Sequence, residues 1–326
     1  MYRGIFIDED GIRHGCLIED ECKFEESRAE YNDYIIIPTF FNAHTHLADS
    51  IAKEAPFKPL RELVSPPNGY KFKVLKEYDI NSLRKCVKIE VEVARRYGTV
   101  YFLDFRETDL EVVKGIKGVI PLARPKSVEE AETIDAFGFG MSSTRDHDLE
   151  FLEKLRKIAK RRKMIFAIHA GEIDCEDVDN ALDLEPDLIV HMNFCPEKLK
   201  DVIDLEIPVV SCIRSNAFFG LLNPKSYEIL KEYDLWLLGT DNAMISSASI
   251  LDELHFASLV VKDDLKLFKA SIRGNRVFGF SNGFIVFNRD YNFKNSKDVI
   301  ATIVRRANYI DIEKVVYPYN FNRAIK

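Results

Sequence analysis

Several common signatures are missing from these 326 residues. The six cysteines, at 16, 22, 86, 175, 195 and 212, include no CxxC pair. That spacing asks for no cysteine-ligated metal and predicts reduced, mostly buried thiols. No apolar run approaches the length of a membrane span, and MYRGIFIDEDG lacks the basic start, apolar middle and small-residue site of a secretion signal. A cytoplasmic protein with no membrane partner is therefore expected. Basic excess is absent too: the formal charge is −7, which argues against a nucleic-acid partner. The richest basic run, KLRKIAKRRK, reads as the solvated side of a helix, because Leu149, Leu152, Leu155 and Ile158 recur at helical spacing. No GxGxxG follows the first predicted strand, which weakens the case for an open dinucleotide-binding sheet.

What is present is a large apolar fraction, 46% of the chain, enough for one large domain and a small one. Residues 1–38 carry short strand-like runs (YRGIFID, RHGCLIE, YIIIP) separated by glycine and charged turns. From residue 39 the pattern changes to short apolar runs, each followed by helical periodicity. TFFNA precedes a helix near 81–97, TVYFLDF one near 109–116, GVIPLA one near 128–132, and AFGFGMS one near 148–160. MIFAIHA precedes a weak helix near 178–184, DLIVHM one near 197–203, IPVVSC one near 225–232, and LWLLGT one near 250–260. Eight strand-then-helix units of this kind predict a (β/α)8 TIM-type barrel over 39–276. GFIVFNRDYNF, then 301–307 with VVYPY, reads as further strand. Residues 1–38 and 277–326 are thus expected to form a small β-rich domain beside the barrel.

A barrel of this kind carries its chemistry at the C-terminal ends of its strands. His44 and His46 end the first predicted strand, His169 the fifth and His191 the sixth, while Asp241 follows the eighth. Seven histidines in this length give roughly 0.15 HxH pairs by chance, so the pair needs this context to count. Two imidazoles one residue apart on an extended chain point to the same side and can reach one ion. His169 adds a nitrogen and Asp241 a carboxylate oxygen, a mixed set that suits Zn²⁺ ahead of Fe²⁺. Singly, each residue also reads as a hydrogen-bonded loop residue or, for Asp241, a cap. Glu172, three residues past His169 in IHAGE, can move a proton at neutral pH if shielded from water, or can simply favour the first turn of a helix.

NAHTH after the first strand, HAGE after the fifth, a histidine after the sixth and GTDN after the eighth resemble the amidohydrolase superfamily, in its aminohydrolase (deaminase and chlorohydrolase) branch. IPVVSCIRSNAFFG is similar to that branch's seventh-strand segment, and HAGE to adenosine-deaminase-type enzymes. The resemblance implies that His44, His46, His169 and Asp241 bind one divalent metal, that Glu172 passes a proton to a ring nitrogen, and that His191 holds the attacking water and its developing oxyanion. Members with two metals use a modified lysine at the end of strand four; AFGFGMSSTRD offers none, so one metal is expected. Adenosine deaminases carry two adjacent aspartates where this chain has Asp241-Asn242, which puts adenosine itself in doubt. The separate HxE and PCxxC zinc-deaminase signature is absent.

The expected activity is deamination of a purine, pyrimidine or pterin-type heterocycle. The alternatives are hydrolysis of a cyclic amide or of a halogen- or alkylamino-substituted ring, and a non-catalytic metal-binding scaffold. A small-molecule substrate is the expected partner, and a homo-oligomer is compatible with the composition. Candidate substrate contacts on the predicted rim are Lys71, Arg106, Ser142, Arg145, Arg214 and Asn216; an arginine there either binds an anion or braces neighbouring loops. The long loop 48–78, with KPLRELVSPPNGYKFK, can close over the mouth.

Overall fold

The computed structural model describes residues 1–107, 109–318 and 321. The tail 322–326, expected in the small domain, lies outside the described residues. Two sheets account for the strands. The first contains β1 (Tyr2–Ile7), β2 (Ile12–Ile18), β3 (Lys23–Glu26) and β4 (Tyr34–Pro38) from the N-terminal part, joined by the late strands Phe284–Asn288 and Ile312–Val316. The second is the parallel barrel: β5 (Phe40–His46), β6 (Thr99–Arg106), β7 (Val119–Ala123), β8 (Gly138–Met141), β9 (Ile165–Ala170), β10 (Leu188–His191), β11 (Val209–Ser211), β12 (Trp236–Leu238) and β13 (Asp241–Asn242).

The eighth stave is β12 and β13 in series. Trp236–Leu238 pairs with β11, and two residues later Asp241–Asn242 pairs with β5, opposite Thr45 and His46, so the one stave closes the ring. Gly239 sits in the break: a Cβ there would come 2.8 Å from the Cβ of His44, so only glycine lets the two chains approach. All seven residues of β5 and all eight of β6 are buried, as expected of strands covered on both faces.

Most predicted helices form, each for a legible reason. In Ile80–Arg96, the Asp79 carboxylate accepts the Ser82 amide at 2.7 Å, while Leu83, Val87, Val91 and Ala94 pack inward. Two expectations fail. The helix near 109–116 reduces to a single 3₁₀ turn, Leu110–Val112, because the chain turns into left-handed glycines at Gly115 and Gly118 (φ 69° and 70°). Residues 301–307, read as strand, form the helix Val299–Arg306; Asp298 caps it, and Ile303 and Val304 are buried as it packs on the helices Ile250–Val261 and Asp264–Ile272. Segment 48–78 is also partly helical, with Leu60–Val64 and Tyr70–Glu77. No helix among the described residues is long and apolar enough to cross a membrane.

Candidate metal and catalytic site

The strand ends converge. His44 Nε2 lies 3.3 Å from Asp241 Oδ1 and 3.3 Å from His169 Nε2, and His46 Nε2 lies 3.4 Å from the same Asp241 oxygen. Donors about 2.1 Å from a tetrahedral zinc ion are about 3.4 Å from one another; these three pairs have that spacing, and the ligating nitrogens of His44, His46 and His169 lie within 4.8 Å of one another. Their outer nitrogens are turned away: His169 Nδ1 faces the Met141 carbonyl at 2.7 Å, and His46 Nδ1 faces the Phe105 carbonyl at 3.2 Å and Glu107 Oε1 at 2.9 Å. This leaves the inner Nε2 atoms free to ligate. No lysine ends β8; its last residue is Met141.

Charge follows this geometry. Burial holds His44 far below the ordinary imidazole value, at about 3, and burial together with the neighbouring imidazoles does the same in direction to His169. Both are therefore neutral imidazoles, the form in which a histidine can ligate a metal. Burial would also depress His46, but the Glu107 carboxylate outweighs it and raises the value. Burial acts to raise Asp241, yet the surrounding imidazoles hold it well below the carboxylate range. Its other oxygen, Oδ2, accepts the Ser215 hydroxyl at 2.5 Å.

Glu172, His191 and Asp241 form a second group whose ligating atoms lie within 4.8 Å of one another. His191 Nε2 is 3.4 Å from Glu172 Oε1, and burial raises the Glu172 pKa. His191 and Asp241 hold left-handed backbone angles, φ 79° and 58°, a strained conformation for non-glycine residues that clusters at functional sites. The loops carrying Glu172 and His191 are zipped together. Met192 N donates to Ala170 O (2.9 Å), Phe194 N to Gly171 O (2.9 Å) and Asn193 Nδ2 to Glu172 O (3.3 Å). Cys175 and Cys195, expected as reduced thiols, are joined in a disulfide between these loops. No local spacing announces it, because parallel pairing of β9 and β10 brings together cysteines 20 residues apart in the chain.

These groups open onto a cavity of about 290 Å³, walled on one side by Leu60, Arg61, Val64 and Pro66 of the long segment. Of the six candidate substrate contacts, Lys71, Ser142 and Arg145 line it. Lys71 is bound to Glu107 at 2.8 Å and Asp49 at 3.3 Å, Ser142 to His147 at 2.9 Å, and Arg145 to Asp174. The other three are turned elsewhere. Arg106 pairs with Asp104 at 2.9 Å, Arg214 braces Glu253 at 2.6 Å and the carbonyls of Ser247 and Ser249, and Asn216 donates to the Tyr227 hydroxyl at 3.0 Å.

Sequence reasoning places Glu107 on the predicted rim beside Arg106 without giving it a role, and passes over Ser215. Arg106 and Asp104 share one side of β6, so Glu107, the next residue, turns to the site; strand alternation carries that signal. Ser215, between Arg214 and Asn216 on the helix Ile213–Phe218, likewise faces Asp241.

Comparison with known proteins fits this arrangement. No protein-family model matches the chain. An Archaeoglobus fulgidus protein named "Putative aminohydrolase" is 56% identical over 319 residues, 97% of this chain and 96% of that one. A guanine deaminase from C. acetobutylicum with bound guanine superposes with a TM-score of 0.74 at 14% identity, covering 96% and 97% of the two chains. An adenosine deaminase from Xanthomonas campestris with bound zinc gives 0.73 at 14%, covering 96% and 90%. At that identity the two structures speak for the fold.

Proposed function

Because the chain belongs to the aminohydrolase family within the amidohydrolase superfamily, we propose that it removes an amino group as ammonia from a nitrogen heterocycle of the purine, pyrimidine or pterin type, using one divalent metal ion, Zn²⁺ ahead of Fe²⁺. His44, His46, His169 and Asp241 would hold the ion, a set of three nitrogens and one oxygen suited to zinc. When bound, such an ion lowers the pKa of water and supplies an oxygen nucleophile at neutral pH.

The observation that carries the reading is the placement of Glu172, with its raised proton affinity, beside His191 over the four-ligand cluster. In its protonated form Glu172 donates to the ring nitrogen next to the carbon under attack, which makes that carbon electrophilic. Asp241 accepts the proton of the attacking water and passes it to the leaving amine. His191 Nε2 donates a hydrogen bond to the oxygen on which charge develops. The carbon–oxygen bond forms, the carbon–nitrogen bond to the amine breaks and ammonia leaves, while the proton remaining on the new oxygen returns to Glu172, restoring the acid and leaving a carbonyl beside the protonated ring nitrogen.

The test is a screen of metal-loaded protein against amino-substituted purines, pyrimidines and pterins, reading ammonia. At least one is expected to release ammonia in step with loss of the amino compound, and Glu172→Gln is expected to slow that release about 10²- to 10⁴-fold. Turnover unchanged in Glu172→Gln would refute the proton-transfer role; release of chloride or alkylamine in place of ammonia would refute deamination.

A further inference from the structure

Four cations line the cavity: Arg61, Lys71, Arg124 and Arg145. Lys71 is neutralised by Glu107 and Asp49, and Arg145 by Asp174 with Asp177 at 3.9 Å. The remaining two are not. The Arg124 side chain is only 13% exposed, yet among the described residues the one carboxylate in its reach is Glu107, 3.6 Å from Nη2, which already serves Lys71 and His46 at 2.8 and 2.9 Å. Its Nε reaches the Gly140 carbonyl at 3.3 Å. A guanidinium presents five N–H donors, and these two contacts use only part of that fork, leaving donors available to the cavity that Arg124 lines. Arg61, on the helix Leu60–Val64 that walls the cavity, has no carboxylate partner among the described residues.

We propose that Arg124, with Arg61, forms an anion subsite that makes the enzyme selective for a heterocycle bearing a carboxylate or phosphate group. The proposal rests on the aminohydrolase reading and adds the substrate's charge to it. Both anions match the planar fork of a guanidinium. The subsite is also close to the chemistry: Arg124 contacts Glu107, and Glu107 contacts the metal-ligand candidate His46. A substituent on the ring held over the metal can reach it. The neutralised cations Lys71 and Arg145 do not compete for the group.

Binding distinguishes this proposal from the reaction itself. Calorimetric titration of the metal-loaded protein compares pterin with pterin-6-carboxylate, and adenosine with adenosine 5′-monophosphate. The charged member of at least one pair should bind at least tenfold more tightly, the pair that responds identifying carboxylate or phosphate. Arg124→Gln should remove the preference while leaving the neutral member unchanged, Arg124→Lys should keep part of it, and Arg61→Gln should reduce it. Equal binding within both pairs, no binding by any of the four compounds, or a preference that survives Arg124→Gln overturns the subsite. Ammonia measured on the same samples reports separately on deamination, so either reading can fail alone.

Discussion

On the side of the rim built from β5 and β6, His46 is held by charge. Glu107 grips its outer nitrogen and is itself held by Lys71, which also takes Asp49, all in a buried cluster. On the side built from β9 and β10, Glu172 and His191 are held by backbone hydrogen bonds between adjoining loops and by the Cys175–Cys195 crosslink. Under the proposed function, the first side would position a metal ligand and the second the proton-handling groups. A charge network tolerates no loss of one member, since the remainder is left buried and unpaired; a zip of neutral bonds plus a crosslink loses strength in steps. The two sides should therefore fail differently.

The largest effect is expected at Glu172. Glu172→Gln should lower kcat about 10²- to 10⁴-fold with metal content unchanged, as loss of a general acid does. Next is Glu107→Gln, which should weaken metal affinity about 10- to 100-fold in chelator competition while leaving kcat per bound metal nearly intact. If instead it behaved like Glu172→Gln, with full metal occupancy and lost turnover, the division between the two sides would be wrong.

The pH profile gives a smaller, graded signal. Burial raises the Glu172 pKa, and the acid works in its protonated form, so kcat/KM should fall as pH rises through a value above the ordinary carboxylate range. A profile with no fall on the alkaline side would contradict this. The smallest change in turnover should follow opening of the crosslink. A dithiol reductant, or Cys175→Ser with Cys195→Ser, removes the closure of a loop of this length, worth about 3 kcal/mol in the chain-entropy picture. Thermal unfolding should move down accordingly, kcat should fall only a few-fold, and metal affinity should stay put. Metal loss on reduction would show that the crosslink serves both sides.

Much of this was legible in the sequence because it depends on short-range pattern. Buried parallel strands read as apolar runs, and the ends of those runs fixed where His44, His46, His169, His191 and Asp241 would stand. What was not legible depends on contacts between distant segments. The Cys175–Cys195 link follows from two strands lying side by side, and the break at Gly239 from closure of the ring against His44. The choice of Arg106, Arg214 and Asn216 as rim residues rested on their position after a strand. Their side chains find Asp104, Glu253 and Tyr227, and the residues beside two of them, Glu107 and Ser215, face the site. Residues 301–307 read as strand because Thr302, Ile303 and Val304 are β-branched, and their place in a helix is set by the two helices that Val299–Arg306 packs against.

The central claim is a single metal held by four side chains from three separate parts of the chain. Elemental analysis of the purified protein, in parallel with His169→Asn, tests it most directly. One zinc or iron per chain is expected in the wild-type protein, and its loss in the variant. Two ions per chain, less than half an equivalent in carefully prepared wild-type protein, or full occupancy in His169→Asn would contradict it.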